Sequence, residues 1–128
     1  MEQEKLRVLV VEPLKKPYVK EIDDSLASLQ REVGGYIQVV YPWKEMCGLV
    51  CDEEAKLTGK ELNRALRDED GHVYDVVAGT FLIVGLGEED FISLADEQIQ
   101  RFQTKFVVPE VFLRIGDKLL MLPGGDPE

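Results

Sequence analysis

Residues 62–87 read LNRALRDEDGHVYDVVAGTFLIVGLG, and this stretch decides the fold more than any other. Asp70-Gly71 is a strong turn signal. The apolar runs at residues 73–77 and 80–86 predict two strands, or one strand bent at Ala78-Gly79. Residues 60–66, just before the turn, are predicted to form one or two helical turns. Short apolar runs separated by glycine turns are typical of an antiparallel sheet.

Six further strands are predicted outside this stretch. Residues 6–12 are a buried strand, and residues 18–22, which alternate apolar and charged, should pair with it as a hairpin. Residues 36–41 and 46–51 predict two neighbouring strands. Near the C-terminus, Gly116-Asp117 separates two apolar runs, which predicts a hairpin whose two-residue loop begins with glycine, as in a type II′ turn.

Two principal helices interrupt these strands. The first should begin at the N-cap candidates Asp23, Asp24 and Ser25 and end at Gly34. The second and longer helix is predicted over residues 88–106, where Ser93 and Asp96 approximate a capping box. The pattern favours a single α+β domain over residues 1–128, with a mainly antiparallel sheet of hairpins, a core over about residues 6–122 and a loose tail at 123–128.

Composition and charge narrow the range of functions. The chain has 128 residues, 45% of them hydrophobic, and a formal net charge of −10. No stretch approaches the roughly 18 uncharged apolar residues that a membrane span needs, and the first residues, MEQEK, lack the basic start of a signal peptide. We therefore expect a cytoplasmic protein that binds no membrane.

The negative charge repels phosphate backbones and argues against direct binding of nucleic acid. It favours a protein partner with a basic surface, or imitation of nucleic acid by the acidic surface. The simpler interpretation is that the acids keep a small protein soluble. An exposed edge strand would allow a homodimer.

The cysteines and the single histidine predict neither a metal site nor a catalytic centre. Cys47 and Cys51 would lie roughly 13 Å apart on one face of a strand, too far for a disulfide, so buried free thiols are expected. Only His72 could join them as a zinc ligand, whereas zinc takes four ligands. His72 follows a turn and is expected to face solvent. No cofactor is predicted.

The order VLVVEP, a capped helix, VGGYI, LNR and DVVAGTFLIVG resembles the family described as domain of unknown function 3846, over about residues 6–122. Proteins of this family are small and occur in phages and bacterial mobile elements, where some lie among antirestriction genes. The resemblance implies no activity. It directs attention to seven residues as a candidate ligand site: Gly34, Gly35, Tyr36, Asn63, Arg64, Gly79 and Thr80.

Each of these residues has a structural and a functional interpretation. Gly34 and Gly35 suit the end of a helix, or leave N–H groups open beside Tyr36 as an anion niche. Arg64 would pair with a nearby acid, or bind a phosphate, while Asn63 caps a turn or offers a donor and an acceptor. Gly79 and Thr80 would form a turn, or line a pocket with Asn63.

Three hypotheses of function follow. The first, which the sequence favours, is a non-enzymatic accessory protein of a phage or mobile element that binds a protein partner through an acidic surface. The second is a protein that binds a small, nucleotide-like ligand at Tyr36, Asn63, Arg64 and Thr80. The third is an enzyme, which the sequence disfavours because no nucleophile, base and orienting group can be nominated together.

Overall fold

The structure is a computed structural model that describes residues 4–124. These residues form ten strands and two helices. In chain order the elements are β1 (Lys5–Val11), β2 (Tyr18–Asp23), α1 (Leu26–Val33), β3 (Ile37–Val40), β4 (Cys47–Asp52), β5 (Leu62–Arg67), β6 (Val73–Ala78), β7 (Phe81–Leu86), β8 (Phe91–Ile92), α2 (Asp96–Lys105), β9 (Glu110–Ile115) and β10 (Lys118–Pro123).

A central antiparallel sheet organises the molecule. Its strand order is β2-β1-β7-β4-β3, and the short strand β8 pairs with the end of β7. Ile83 in β7 lies opposite Leu9 on one side and Leu49 on the other. The three inner strands carry near-continuous apolar runs because both faces of the sheet are covered. The predicted α+β class with a mainly antiparallel sheet is confirmed.

One face of the central sheet is covered by α1. Ser25 caps this helix by accepting a 3.1 Å hydrogen bond from the N–H of Ser28, and Gly34 ends it with a left-handed φ of 77°. Leu29 and Val33 then pack on side chains from β1 and β7, including Val8 and Leu82. The predicted first helix, its cap and its glycine stop are therefore confirmed.

The opposite face is covered by α2 together with a second, two-stranded sheet made of β5 and β6. Phe102 and Phe106 of the α2 segment pack with Leu66 and Val77 from this hairpin over Ile83. Three layers result, with the central sheet in the middle. The predicted turn at Asp70-Gly71 is confirmed, and Gly71 has a φ of 85°.

The expectation of helical turns at residues 60–66 was wrong, because Leu62–Arg67 is the strand β5. Four consecutive side chains, Asn63 to Leu66, are buried. A strand covered on both faces loses the alternation that identifies strands in a sequence, and its pairing with β6 overrides the helical propensity of Ala65 and Leu66.

The second helix is shorter than residues 88–106, because it begins only at Asp96. The expected capping box at Ser93 was also wrong. The Ser93 hydroxyl accepts a 2.8 Å hydrogen bond from the N–H of Arg7, and Gln98 instead accepts one from the N–H of Ala95. The preceding segment pairs with β7 so closely that a Cβ on Gly85 would lie 2.8 Å from the Ser93 carbonyl oxygen. Pairing with β7 thus takes residues 91–92 out of the helix.

The C-terminal hairpin is confirmed, with Gly116 at a φ of 63° in the loop between β9 and β10. The hairpin lies against β5, where Glu110 accepts a 3.1 Å hydrogen bond from the N–H of Ala65. Pro123 belongs to β10, and the N–H of Gly124 donates to the carbonyl of Pro109. Residues 125–128 of the predicted loose tail, like residues 1–3, lie outside the described residues.

Candidate functional site

Asn63 is fully buried and connects three parts of the chain. Its amide nitrogen donates to the carbonyls of Val11 and Gly79, at 2.8 and 2.9 Å. Its side-chain oxygen accepts a 2.8 Å hydrogen bond from Nη1 of Arg64. Every polar atom of the amide group therefore has a partner inside the protein, as buried polar groups require.

Arg64 is only 1% exposed and is held by oxygens of the main chain. Nη2 donates to the carbonyls of Lys15 and Phe106, at 2.7 and 2.9 Å, and Nε also donates to Phe106. Burial lowers the pKa of Arg64, with a nearby carboxylate of Glu110 acting in the opposite direction. The guanidinium thus joins β5 to the end of α2 and to the turn after β1.

The Gly-Gly pair lies next to an ion pair between the half-buried Lys60 and the buried Asp52. Nζ of Lys60 is 2.6 Å from the Asp52 carboxylate and donates to the carbonyls of Val33 and Gly34, at 2.9 and 3.0 Å. The ammonium therefore sits at the C-terminus of α1, where the helix dipole favours a cation. Its hydrogen bond holds the pKa of Asp52 below the ordinary value.

Two distant glycines of the pattern, Gly34 and Gly79, both lie against the Lys60 side chain and have positive φ values. A Cβ on Gly34 would lie 2.9 Å from its Nζ, and a Cβ on Gly79 would lie 3.0 Å from its Cδ. The N–H of Gly79, whose φ is 75°, donates to the carbonyl of Glu61. Sequence reasoning missed both Lys60 and Asp52, and the glycines were the only signal of their position.

The seven predicted residues are thus brought together only in part. Gly34, Gly35 and Gly79 surround the Lys60–Asp52 pair, and Asn63 and Arg64 fill the interior. Tyr36 is 68% exposed, and Thr80 is half-buried. None of the seven lines the cavity of about 140 Å³ beside Asp52 or the larger grooves beside Trp43 and Lys60, and a ligand site at these positions stays a prediction.

An open groove of about 670 Å³ lies at the end of the molecule where β4 begins and β5 ends. We call it the Trp43 groove. It combines two aromatic side chains with charged residues, and the lining includes Trp43, Glu45, Arg67, Asp68, Asp70 and Tyr74. The Trp43 ring packs against Phe102, at 4.5 Å between centroids, so it contributes to the core and to the groove.

Ion pairs occupy several of the charges in the groove. Lys44 lies 3.4 Å from Glu69, Arg101 contacts Glu45, and Arg67 binds Glu110. Within residues 4–124, Asp70 forms no ion pair, and Asp68 approaches only His72, at 3.7 Å. The turn Glu88–Asp90, with three more exposed acids, lies beside the same loops, since Leu86 donates to the carbonyl of Met46. This end of the molecule is therefore rich in uncompensated carboxylates.

Comparison with known families agrees with the resemblance seen in the sequence motifs. The family described as Domain of unknown function (DUF3846) matches residues 6–107. The chain belongs to the DUF3846 family. No curated protein and no solved structure matches it significantly. The DUF3846 match includes the whole Trp43 groove and ends before β9, so the C-terminal hairpin lies beyond it.

The cysteines and the histidine of this DUF3846 protein lie in different parts of the structure. Cys47 and Cys51 are buried free thiols, as predicted. Burial raises the pKa of Cys47 to about 11, and it also raises the pKa of Cys51 above its ordinary value. His72 is exposed in its turn, as predicted. Its ring lies with Asp68 and Asp70 rather than with the cysteines. Between residues 4 and 124, neither helix has the length and apolar character that crossing a membrane requires.

Proposed function

We propose that the protein is a non-enzymatic accessory protein of a phage or mobile genetic element, and that it acts by binding a basic segment of a protein partner in the Trp43 groove. One observation carries the proposal. The groove places the aromatic rings of Trp43 and Tyr74 beside Asp68 and Asp70, in a protein with a net charge of −10. Aromatic faces and carboxylates together are the surroundings that arginine and lysine side chains prefer.

The distribution of ion pairs supports a cationic occupant. Arg67 and Lys44 are engaged by Glu110 and Glu69, so they contribute little free positive charge to the groove. Lys105 also lines the groove and forms no ion pair within residues 4–124, so one free base stands against the two carboxylates of Asp68 and Asp70. The carboxylates of Asp68 and Asp70 are exposed and would bind an incoming guanidinium without losing a lysine or arginine partner. The remaining acids at this end would attract a basic segment over a longer range, which raises the rate of association.

Three further observations fit a non-enzymatic protein of a phage or mobile element, and they favour a cytoplasmic location. The two thiols are protonated at neutral pH because burial raises their pKa values, and they are reduced, as thiols are in a reducing compartment. The third observation is that the sequence resembles a family whose members occur in phages and bacterial mobile elements.

Trp43 is the only tryptophan of the chain, so its fluorescence reports on the groove directly. We expect an oligo-arginine peptide to change this fluorescence saturably, and its dissociation constant to rise about tenfold between low and physiological salt. The double substitution Asp68→Asn, Asp70→Asn should weaken binding by a further factor of about ten.

A matched control separates the groove from the overall charge. Glu53→Gln with Glu54→Gln removes two exposed acids in the turn after β4, at the opposite end of that strand, and should leave binding within about twofold. Equal losses in the two variants would show that only net charge matters, and an unchanged Trp43 signal at saturating peptide would overturn the groove as the binding site.

A further inference from the structure

The C-terminal hairpin exposes an apolar face that the rest of the chain leaves open. In its antiparallel register Leu113 lies opposite Leu120, and Val111 lies opposite Leu122. Residues directly opposite each other, and residues two apart along a strand, share one face. The outward face of the hairpin therefore consists of Val111, Leu113, Ile115, Lys118, Leu120 and Leu122.

The opposite face of the hairpin is turned toward the body of the protein. Arg114 and Leu119 line a cavity with Lys60 and Val76, and Glu110 binds the N–H of Ala65 and the side chain of Arg67. On the outward face, by contrast, Ile115 is 61% exposed, and Leu113, Leu120 and Leu122 are exposed as well. A two-stranded sheet with one face uncovered is marginally stable in water, so an occupant would stabilise it.

We infer that this occupant is a second copy of the chain, and that two hairpins pack outward face to outward face across a two-fold axis. The charge distribution selects this partner. The hairpin Glu110–Pro123 carries two acids and two bases, whereas the whole chain has a net charge of −10. Two such molecules repel each other over most of their surfaces, and a neutral apolar face lets them approach.

Charge complementarity also gives the orientation. Lys118, the one charged residue of the outward face, lies at the tip of the hairpin. Glu61 lies at the base, where it lines a cavity of about 220 Å³ with Val111 and the exposed Leu14. Neither Lys118 nor Glu61 forms an ion pair within residues 4–124. An antiparallel arrangement would bring Lys118 of one copy to Glu61 of the other, twice by symmetry.

Sedimentation velocity over a concentration series tests the inference with the whole chain. We expect the wild type to reach twice the mass of one chain by about 100 μM, and the variant with Ile115→Ser and Leu120→Ser to remain monomeric. Leu57→Ser is the matched control, because Leu57 is an 86% exposed leucine in the turn after β4 and lies outside the hairpin. It should form the dimer as the wild type does.

Charge reversal tests the orientation. Lys118→Glu alone should weaken the dimer about tenfold, and adding Glu61→Lys should restore it. Hydrogen exchange of the wild type provides a check that needs no substitution, since β9 and β10 amides should become better protected as concentration rises. A monomeric wild type at all concentrations, or a dimer indifferent to the hairpin substitutions, would overturn the inference. If adding Glu61→Lys to Lys118→Glu does not restore the dimer, the antiparallel arrangement is overturned. These results are independent of peptide binding in the Trp43 groove.

Discussion

Gly35 lies so close to Asp52 that a Cβ atom on the glycine would stand 2.5 Å from the carboxylate oxygen Oδ1. Non-bonded atoms do not approach to this distance, so the second glycine of Gly-Gly-Tyr is required by a neighbouring side chain. The first glycine is required by its own φ of 77°. The two glycines therefore have different physical causes, although they are adjacent in the sequence.

Replacing Gly35 by alanine should destabilise the protein by about 1–3 kcal/mol, because the new methyl group must displace the buried carboxylate from Lys60. Urea unfolding measures the difference in free energy. The matched test is a double-mutant cycle with Asp52→Ala, in which the cost of Gly35→Ala should fall markedly. Equal costs in both backgrounds would show that Asp52 is not the constraint.

The pH dependence of stability should reveal how much the ionised Asp52 carboxylate stabilises the fold. Its pKa is lowered from 3.8 in the folded protein, chiefly by the hydrogen bond from Lys60. A carboxyl whose folded pKa is depressed stabilises the fold above its unfolded pKa and loses this contribution as pH falls through the folded pKa. The difference in unfolding free energy between wild type and Asp52→Asn should thus be constant above about pH 5 and shrink below about pH 4. A difference that grows in acid would contradict the assignment.

Asn63→Ala should cost about 3 kcal/mol of stability, because it leaves two buried carbonyls and one N–H of Arg64 without partners. Gln100→Ala, which removes an exposed amide from α2, should change the free energy of unfolding by less than about 0.5 kcal/mol. If Asn63 and Arg64 act as one unit, adding Arg64→Met to Asn63→Ala should cost less than it does in the wild type. A small effect of Asn63→Ala would show that water replaces the lost hydrogen bonds.

The fold was largely predictable from local patterns, and the site was not. The cap at Ser25, the stop at Gly34 and the hairpin loop at Gly116 are local, so the sequence predicts them directly. Leu62–Arg67 was assigned wrongly because its burial on both faces depends on α2 and β9, which are distant in the sequence.

The role of Lys60 shows the same limit at the level of a site. Its contacts reach Val33 and Gly34, 27 and 26 residues away, and no sequence spacing indicates them. The glycines of the motifs lie around Lys60, but the sequence does not reveal whether a ligand or a protein side chain fills the space beside them.

The two thiols should be unreactive until the protein unfolds. Cys47 lies in the middle layer with no exposed surface, and burial raises its pKa to about 11. Because the thiolate is the reactive form, Ellman's reagent at pH 8 should label neither cysteine in the native protein and both in denaturant. A raised thiol pKa also stabilises the fold below its unfolded value of 9.0 and loses this contribution as pH rises toward the folded value. The free energy of unfolding of the wild type should therefore fall between about pH 9 and 11. The fall should be smaller in Cys47→Ala, once the pH-independent cost of the lost packing is subtracted. Rapid labelling of the native protein would contradict this expectation, because it would show that β4 is accessible although it lies between β7 and β3.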